Sequence, residues 1–165
     1  MLSVIIETRN DEDGLARSLA PLVSAVVEGL VREVIVCDHE SADGTLKVAE
    51  HAGCRVVTGE IAEAIRAAKS EWLLLLEPGA RLTGDWQDPV SSHIARNTMP
   101  ANFSRSRESR PRLFARVFAT ALATGLVVTK RQALSRARPG QGAEGVARGL
   151  AVKRLTAQIL PAPGR

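Results

Sequence analysis

The sequence predicts an α/β fold with a mostly parallel central sheet and helices on both faces, and three observations carry that expectation. Short apolar runs alternate with helical segments at close intervals through the first half of the chain. The runs at residues 33–37 and 72–76 show little polar alternation, as strands covered on both faces do. Each run then gives way to polar or turn-forming residues, and open sheets of this kind bind ligands beyond the carboxyl ends of their strands.

Taken in order, residues 2–6 read as a first strand. Residues 13–27 read as one amphipathic helix, with Leu15, Leu19, Leu22, Val23 and Val26 on a shared face. A second strand covers 33–37. A polar loop over 38–45 follows, in which Ser41 or Asp43 caps a helix through Leu46, Val48 and Ala49. Residues 55–57 form a third strand, 61–68 a short helix and 72–76 a fourth strand. The strand ends then fall at Glu7-Thr8-Arg9-Asn10, Asp38-His39-Glu40-Ser41, Thr58-Gly59 and Glu77-Pro78-Gly79. After Gly84 the pattern loosens. A helix is expected over 85–96, an edge strand over 101–104 and a charged loop over 104–112. An amphipathic helix over 113–123, a strand over 125–129 and a helix over 130–136 follow. A loop over 138–142, a helix over 144–155 and a short strand over 157–160 complete the chain, with no internal repeat.

At 165 residues the chain fits a single domain over 1–165. It contains no Tyr and only 3% aromatic residues, so its core must be aliphatic. The same scarcity argues against modules that stack bases on aromatic platforms, and no nucleic-acid partner is expected. The net charge of +4 is unevenly placed, with Arg105, Arg107, Arg110, Arg112 and Arg116 gathered after an acidic first half. Such a segment reads either as a solvated arginine-rich surface or as a contact for phosphates and anionic lipid. Cys37 and Cys54 do not make a disulfide framework and read as buried free thiols in a reducing compartment. No leader pattern is visible, and the apolar stretch at 117–128 is too short to span a bilayer. The expected location is cytoplasmic, or peripheral to the inner membrane.

Specific motifs narrow the fold class. Ser3-Val4-Ile5-Ile6-Glu7-Thr8-Arg9-Asn10-Asp11-Glu12 resembles the opening segment of family-2 glycosyltransferases. Glu33-Val34-Ile35-Val36-Cys37-Asp38 and Ser41-Ala42-Asp43-Gly44-Thr45 resemble that family's second strand and the loop after it. Residues 72–82 resemble the strand that delivers its metal-binding D-x-D, and residues 125–134 resemble a later element. The resemblance implies a compact bacterial member with the GT-A fold. It also implies a nucleotide-binding half over 1–84 and an acceptor-side half over 85–165. The activity implied is transfer of a sugar from a nucleotide-diphosphate donor to an acceptor, by inversion.

Site residues follow from the resemblance together with the chemistry of each position. Asp38 and Thr8 are placed against the nucleotide, Asp38 accepting from a base N–H or ribose hydroxyl. Asp43 reads as a helix cap rather than a ligand contact. His39 stands where the family has a second Asp; it reads either as a nucleotide contact or as an exposed loop histidine. Arg66 reads either as a diphosphate contact or as a solvated arginine. Glu77 occupies the first D-x-D position, but the second falls on Gly79, so a Mg²⁺ or Mn²⁺ site keeps one carboxylate. Glu144 is the candidate general base, with Gly145 at the family's Asp position. Its alternative is a first-turn residue favoured by the helix dipole.

Other chemistries are disfavoured. There is no P-loop, no dinucleotide fingerprint and no G-x-S-x-G. His39, His51 and His93 lack ligand spacing with the cysteines, which speaks against zinc. A non-catalytic descendant that senses nucleotide or docks a partner is the rival reading, motivated by Gly79 and Gly145. A third reading places a lipid-linked or membrane-surface acceptor against the segment from Arg105 to Arg116.

Overall fold

The computed structural model describes residues 1–108 and 120–163. Along the chain it forms β1 (Leu2–Thr8), α1 (Glu12–Leu19), α2 (Leu22–Val27), β2 (Val31–Asp38), α3 (Thr45–His51), β3 (Arg55–Thr58), α4 (Ile61–Ala67) and β4 (Trp72–Leu76). It continues with β5 (Arg81–Thr83), α5 (Gln87–Arg96), β6 (Ala101–Arg105), β7 (Leu126–Thr129), α6 (Lys130–Arg136), α7 (Gly142–Ala147) and β8 (Lys153–Leu160). The strands make one eight-stranded sheet in the order β3-β2-β1-β4-β7-β6-β8-β5. β1 runs parallel to both β2 and β4, and β2 runs parallel to β3. The expected α/β architecture, with helices on both sheet faces, is the one observed.

Alternation along the central strands divides the core in two. Ile5, Ile35, Cys37, Leu73 and Leu75 pack with Ile61 and Ile65 of α4, Ala133 of α6 and Val146 of α7. Val4, Ile6, Val36, Leu74 and Leu76 face the other way, onto Leu15 and Leu19 of α1, Ala49 of α3 and Val90 of α5. Each fully buried aliphatic side chain stabilises the fold by roughly 1.5–3 kcal/mol, so two aliphatic layers suffice where aromatics are scarce.

Several elements differ from the sequence expectation. The helix over 13–27 is broken into α1 and α2 at Pro21, which has no amide hydrogen to continue the ladder. The break turns Val23 and Val26 outward, to 63% and 45% exposure. The strand at 101–105 is interior, between β7 and β8, rather than at an edge. β5 was not expected; it pairs antiparallel with β8. The helix over 144–155 stops at Ala147, and Gly149 turns the chain with φ +69. Lys153–Leu160 is a strand whose inward residues are Leu155, Ala157 and Ile159. Of the helix expected over 113–123, residues 113–119 lie outside the described residues, and 121–124 form a turn.

Candidate functional site

The strand order reverses direction at β1: β2 and β3 lie on one side of it and β4 on the other. In open parallel sheets the ligand crevice lies at such a switch point, outside the carboxyl ends. Thr8, Asp38 and Glu77 all stand at that end of the sheet.

Asp38 is 2% exposed and Thr8 is 1% exposed. The Asp38 carboxylate accepts the Thr8 hydroxyl at 2.9 Å, the Ser41 hydroxyl at 2.6 Å and the Ser41 amide at 2.9 Å. Burial alone would raise the Asp38 pKa; the bonds from Ser41 and Thr8, with His39 nearby, outweigh it and hold the carboxyl below its ordinary range. The loops after β1 and β2 then interlock. Asn10 donates its amide to the Ser41 hydroxyl and accepts the Ala42 amide on its side-chain oxygen. Asp43 accepts the Thr45 amide at the start of α3 and the Glu12 amide at the start of α1. Beside these loops opens a cavity of about 350 Å³, lined by Asp11, Glu12, Asp13 and Asp43 together with Arg17.

Glu77, half-buried at the end of β4, accepts a hydrogen bond from the Thr120 hydroxyl. Burial raises its pKa; the Thr120 bond opposes this, the charge of Glu144 adds to it, and Arg105 offsets part. Glu144 accepts the Ala121 amide on Oε1 at 2.9 Å and the Leu122 amide on Oε2 at 3.0 Å. The two carboxylates therefore converge on one turn. Gly79 has φ +96, and a Cβ there would lie 3.3 Å from Ala162 Cβ and 3.4 Å from Pro163 Cδ. Its amide donates to the Ser18 hydroxyl and the Gly14 carbonyl, binding the turn to α1. Of the two positions Glu77 and Gly79, only Glu77 offers a carboxylate that could hold a hard divalent cation.

His39 directly follows the last residue of β2 and lies near Asp38. Its Nε2 lies 2.7 Å from Glu7 Oε1, on the face of the sheet that carries Cys37. The other Glu7 oxygen accepts the Ala143 amide at 2.7 Å. The Cys37 thiol, buried and surrounded by the carboxylates of Glu7, Asp38, Glu63 and Glu60, has its pKa pushed up to about 12. Sequence spacing among histidines and cysteines missed this trio, because Glu7 arrives from the neighbouring strand. The register pairing Glu7 with Cys37 was the signal that could have found it. Arg66 lies in the last turn of α4. α4 leaves the carboxyl end of β3 and runs back to the start of β4, so its last turn places Arg66 beside Lys130, at the far end of the sheet.

The architecture and the switch-point crevice are those of a GT-A-type fold, and comparison with known proteins bears this out. Glucosyl-3-phosphoglycerate synthase from Mycobacterium tuberculosis, solved with Mn²⁺, UDP and glucosyl-3-phosphoglycerate, superposes with TM-score 0.59 and 16% identity, over 81% of this chain and 58% of that one. The same enzyme with phosphoglyceric acid gives TM-score 0.66 and 17% identity, over 100% of this chain and 72% of that one. In sequence, an uncharacterized glycosyltransferase of Rickettsia felis is 26% identical over 129 residues, 69% of this chain and 44% of its own length. A similar protein of Rickettsia bellii is 26% identical over 129 residues, 69% of this chain and 42% of its own. The chain thus spans less than half the length of these curated relatives. No protein-family model matches it. Among the described residues no helix is long and apolar enough to cross a membrane.

Proposed function

We propose that this chain is the donor-binding core of a family-2-like glycosyltransferase that moves a sugar, with inversion, from a nucleotide diphosphate to an acceptor. The observation that supports this best is the crevice at the β1/β4 switch point, where Thr8, Asp38 and Glu77 gather in a fold shared with a UDP-binding synthase. In this reading the loops ordered by Asp38 and Thr8 receive the nucleoside. Glu77 would hold a Mg²⁺ or Mn²⁺ ion, which when bound neutralises the diphosphate. Glu144 would take the proton from the acceptor hydroxyl as that oxygen attacks the anomeric carbon, whose bond to the diphosphate oxygen breaks to release the nucleoside diphosphate. Calorimetric titration of UDP- and GDP-sugars with and without Mn²⁺ tests the proposal. Metal-dependent binding that weakens in Glu77→Ala is expected, and folded protein that binds none of these nucleotides overturns it.

A second reading, a non-catalytic homologue that binds nucleotide or a partner, draws on Glu144. Both of its carboxylate oxygens are engaged by backbone amides in a role that requires no chemistry. Turnover that falls in Glu144→Gln while the fold is retained would remove that reading. A lipid-linked or membrane-surface acceptor remains a proposal that rests on the arginines; Arg110, Arg112 and Arg116 lie outside the described residues.

A further inference from the structure

We propose that Glu7, Cys37 and His39 form a binding site for a borderline-soft divalent metal ion, of which Zn²⁺ is the natural example. Its donor set differs from the lone carboxylate at Glu77. Glu7 and Cys37 are register partners on the parallel strands β1 and β2, so their side chains leave the sheet on the same face. His39 follows Cys37 by two residues and returns to that face. The Cys37 sulfur, a His39 ring nitrogen and a Glu7 oxygen all lie within 4.8 Å of one another. A thiolate, an imidazole and a carboxylate make a donor set that selects zinc-like ions over Mg²⁺, and three protein ligands leave a fourth position open.

The surroundings complete the argument. Glu7 Oε2 is fixed by the Ala143 amide at 2.7 Å, the kind of outer contact that orients a ligating carboxylate. That approach depends on Gly142, where a Cβ would lie 2.5 Å from the same oxygen. The carboxylates of Glu60, Glu63 and Asp38 act on Cys37 as well, so the local potential favours a cation. Cys37 is fully buried, whereas the His39 and Glu7 side chains are 38% and 21% exposed, which gives an ion a path from solvent. His39 Nε2 and Glu7 Oε1 now share a hydrogen bond at 2.7 Å. A tetrahedral ion with bonds of about 2.0 Å sets two such atoms roughly 3.3 Å apart, so this pair would part slightly on ligation. The thiol proton leaves to solvent as the sulfur–metal bond forms.

Cobalt(II) is the probe, added to reduced protein without nucleotide, so that the result is independent of donor binding. The expected result is a near-ultraviolet sulfur-to-cobalt charge-transfer band with intense visible bands, saturating at one equivalent and bleached by Zn²⁺. The band should vanish in Cys37→Ala and persist in Cys54→Ser. His39→Ala, at a side chain 38% exposed, should weaken cobalt affinity in folded protein beyond the roughly 10–100-fold typical of outer-shell changes. Absence of the band in the parent protein, or its survival in folded Cys37→Ala, overturns the proposal. So does unchanged affinity in His39→Ala.

Discussion

The two carboxylates at the ends of β2 and β4 occupy comparable places and do opposite things. Asp38 is buried among donors from its own loop and from β1, and its charge is fully used inside the fold. Glu77 is half-buried, has one hydroxyl donor among the described residues, and the nearby charge of Glu144 works against its ionisation. A strand-end acid that is satisfied internally is a fastener for the crevice. One that is under-satisfied is available to a ligand. The comparison teaches that proximity to a ligand crevice does not by itself separate these roles; the count of internal donors does.

The largest expected effect sharpens the fastener side. Asp38→Ala strands the Thr8 hydroxyl and the Ser41 amide and hydroxyl together, and should lower the unfolding free energy by about 3 kcal/mol in a urea titration. Loss of nucleotide binding with stability unchanged would break the comparison. Next, Glu144→Ala should cost about 1–2 kcal/mol, because it releases two backbone amides at a partly exposed position. Hydrogen exchange should accelerate at Ala121 and Leu122 and stay unchanged around Ser41. A uniform acceleration would show that the turn is not held by Glu144 in particular.

The smallest effect is one of sign. Asp38 has a depressed folded pKa, so its stabilisation is present above the ordinary 3.8 and is lost as pH falls through the folded value. Glu77 has a raised folded pKa, so the folded state holds its proton longer and stability declines as pH rises from the ordinary 4.5 through the folded value. Glu77→Gln, which keeps an acceptor for Thr120, should therefore raise the melting temperature slightly at pH 7 and leave it unchanged at pH 4. A lowered melting temperature at pH 7 would place Glu77 with Asp38 after all.

Much of the first half was legible because its interactions are local or repeat with the strand period. The runs at 33–37 and 72–76 identify buried strands, and Asp43 beside Thr45 identifies a helix start. The second half was less legible for reasons that can be named. β8 alternates at period two over Leu155, Ala157 and Ile159, but the apolar residues just before it extend a helical pattern that Gly149 in fact ends. Glu77 meets Thr120 across 43 residues and Glu144 meets Ala121 across 23, and no local pattern reports such contacts. Arg66 shows a directional effect, since a crossover helix returns to the end of the sheet opposite the strands' carboxyl ends. Glu7 and His39 became partners through strand register, which a reading along one chain does not display.

Gly79 limits what can be engineered at the turn after β4. The left-handed φ of +96 disfavours any side chain, and a Cβ would meet Ala162 Cβ at 3.3 Å and Pro163 Cδ at 3.4 Å, so the tail would have to give by a few tenths of an ångström. Placing a second carboxylate beside Glu77 by Gly79→Asp therefore sets backbone strain and a shifted tail against the new side chain. A change at Glu77 itself meets neither obstacle.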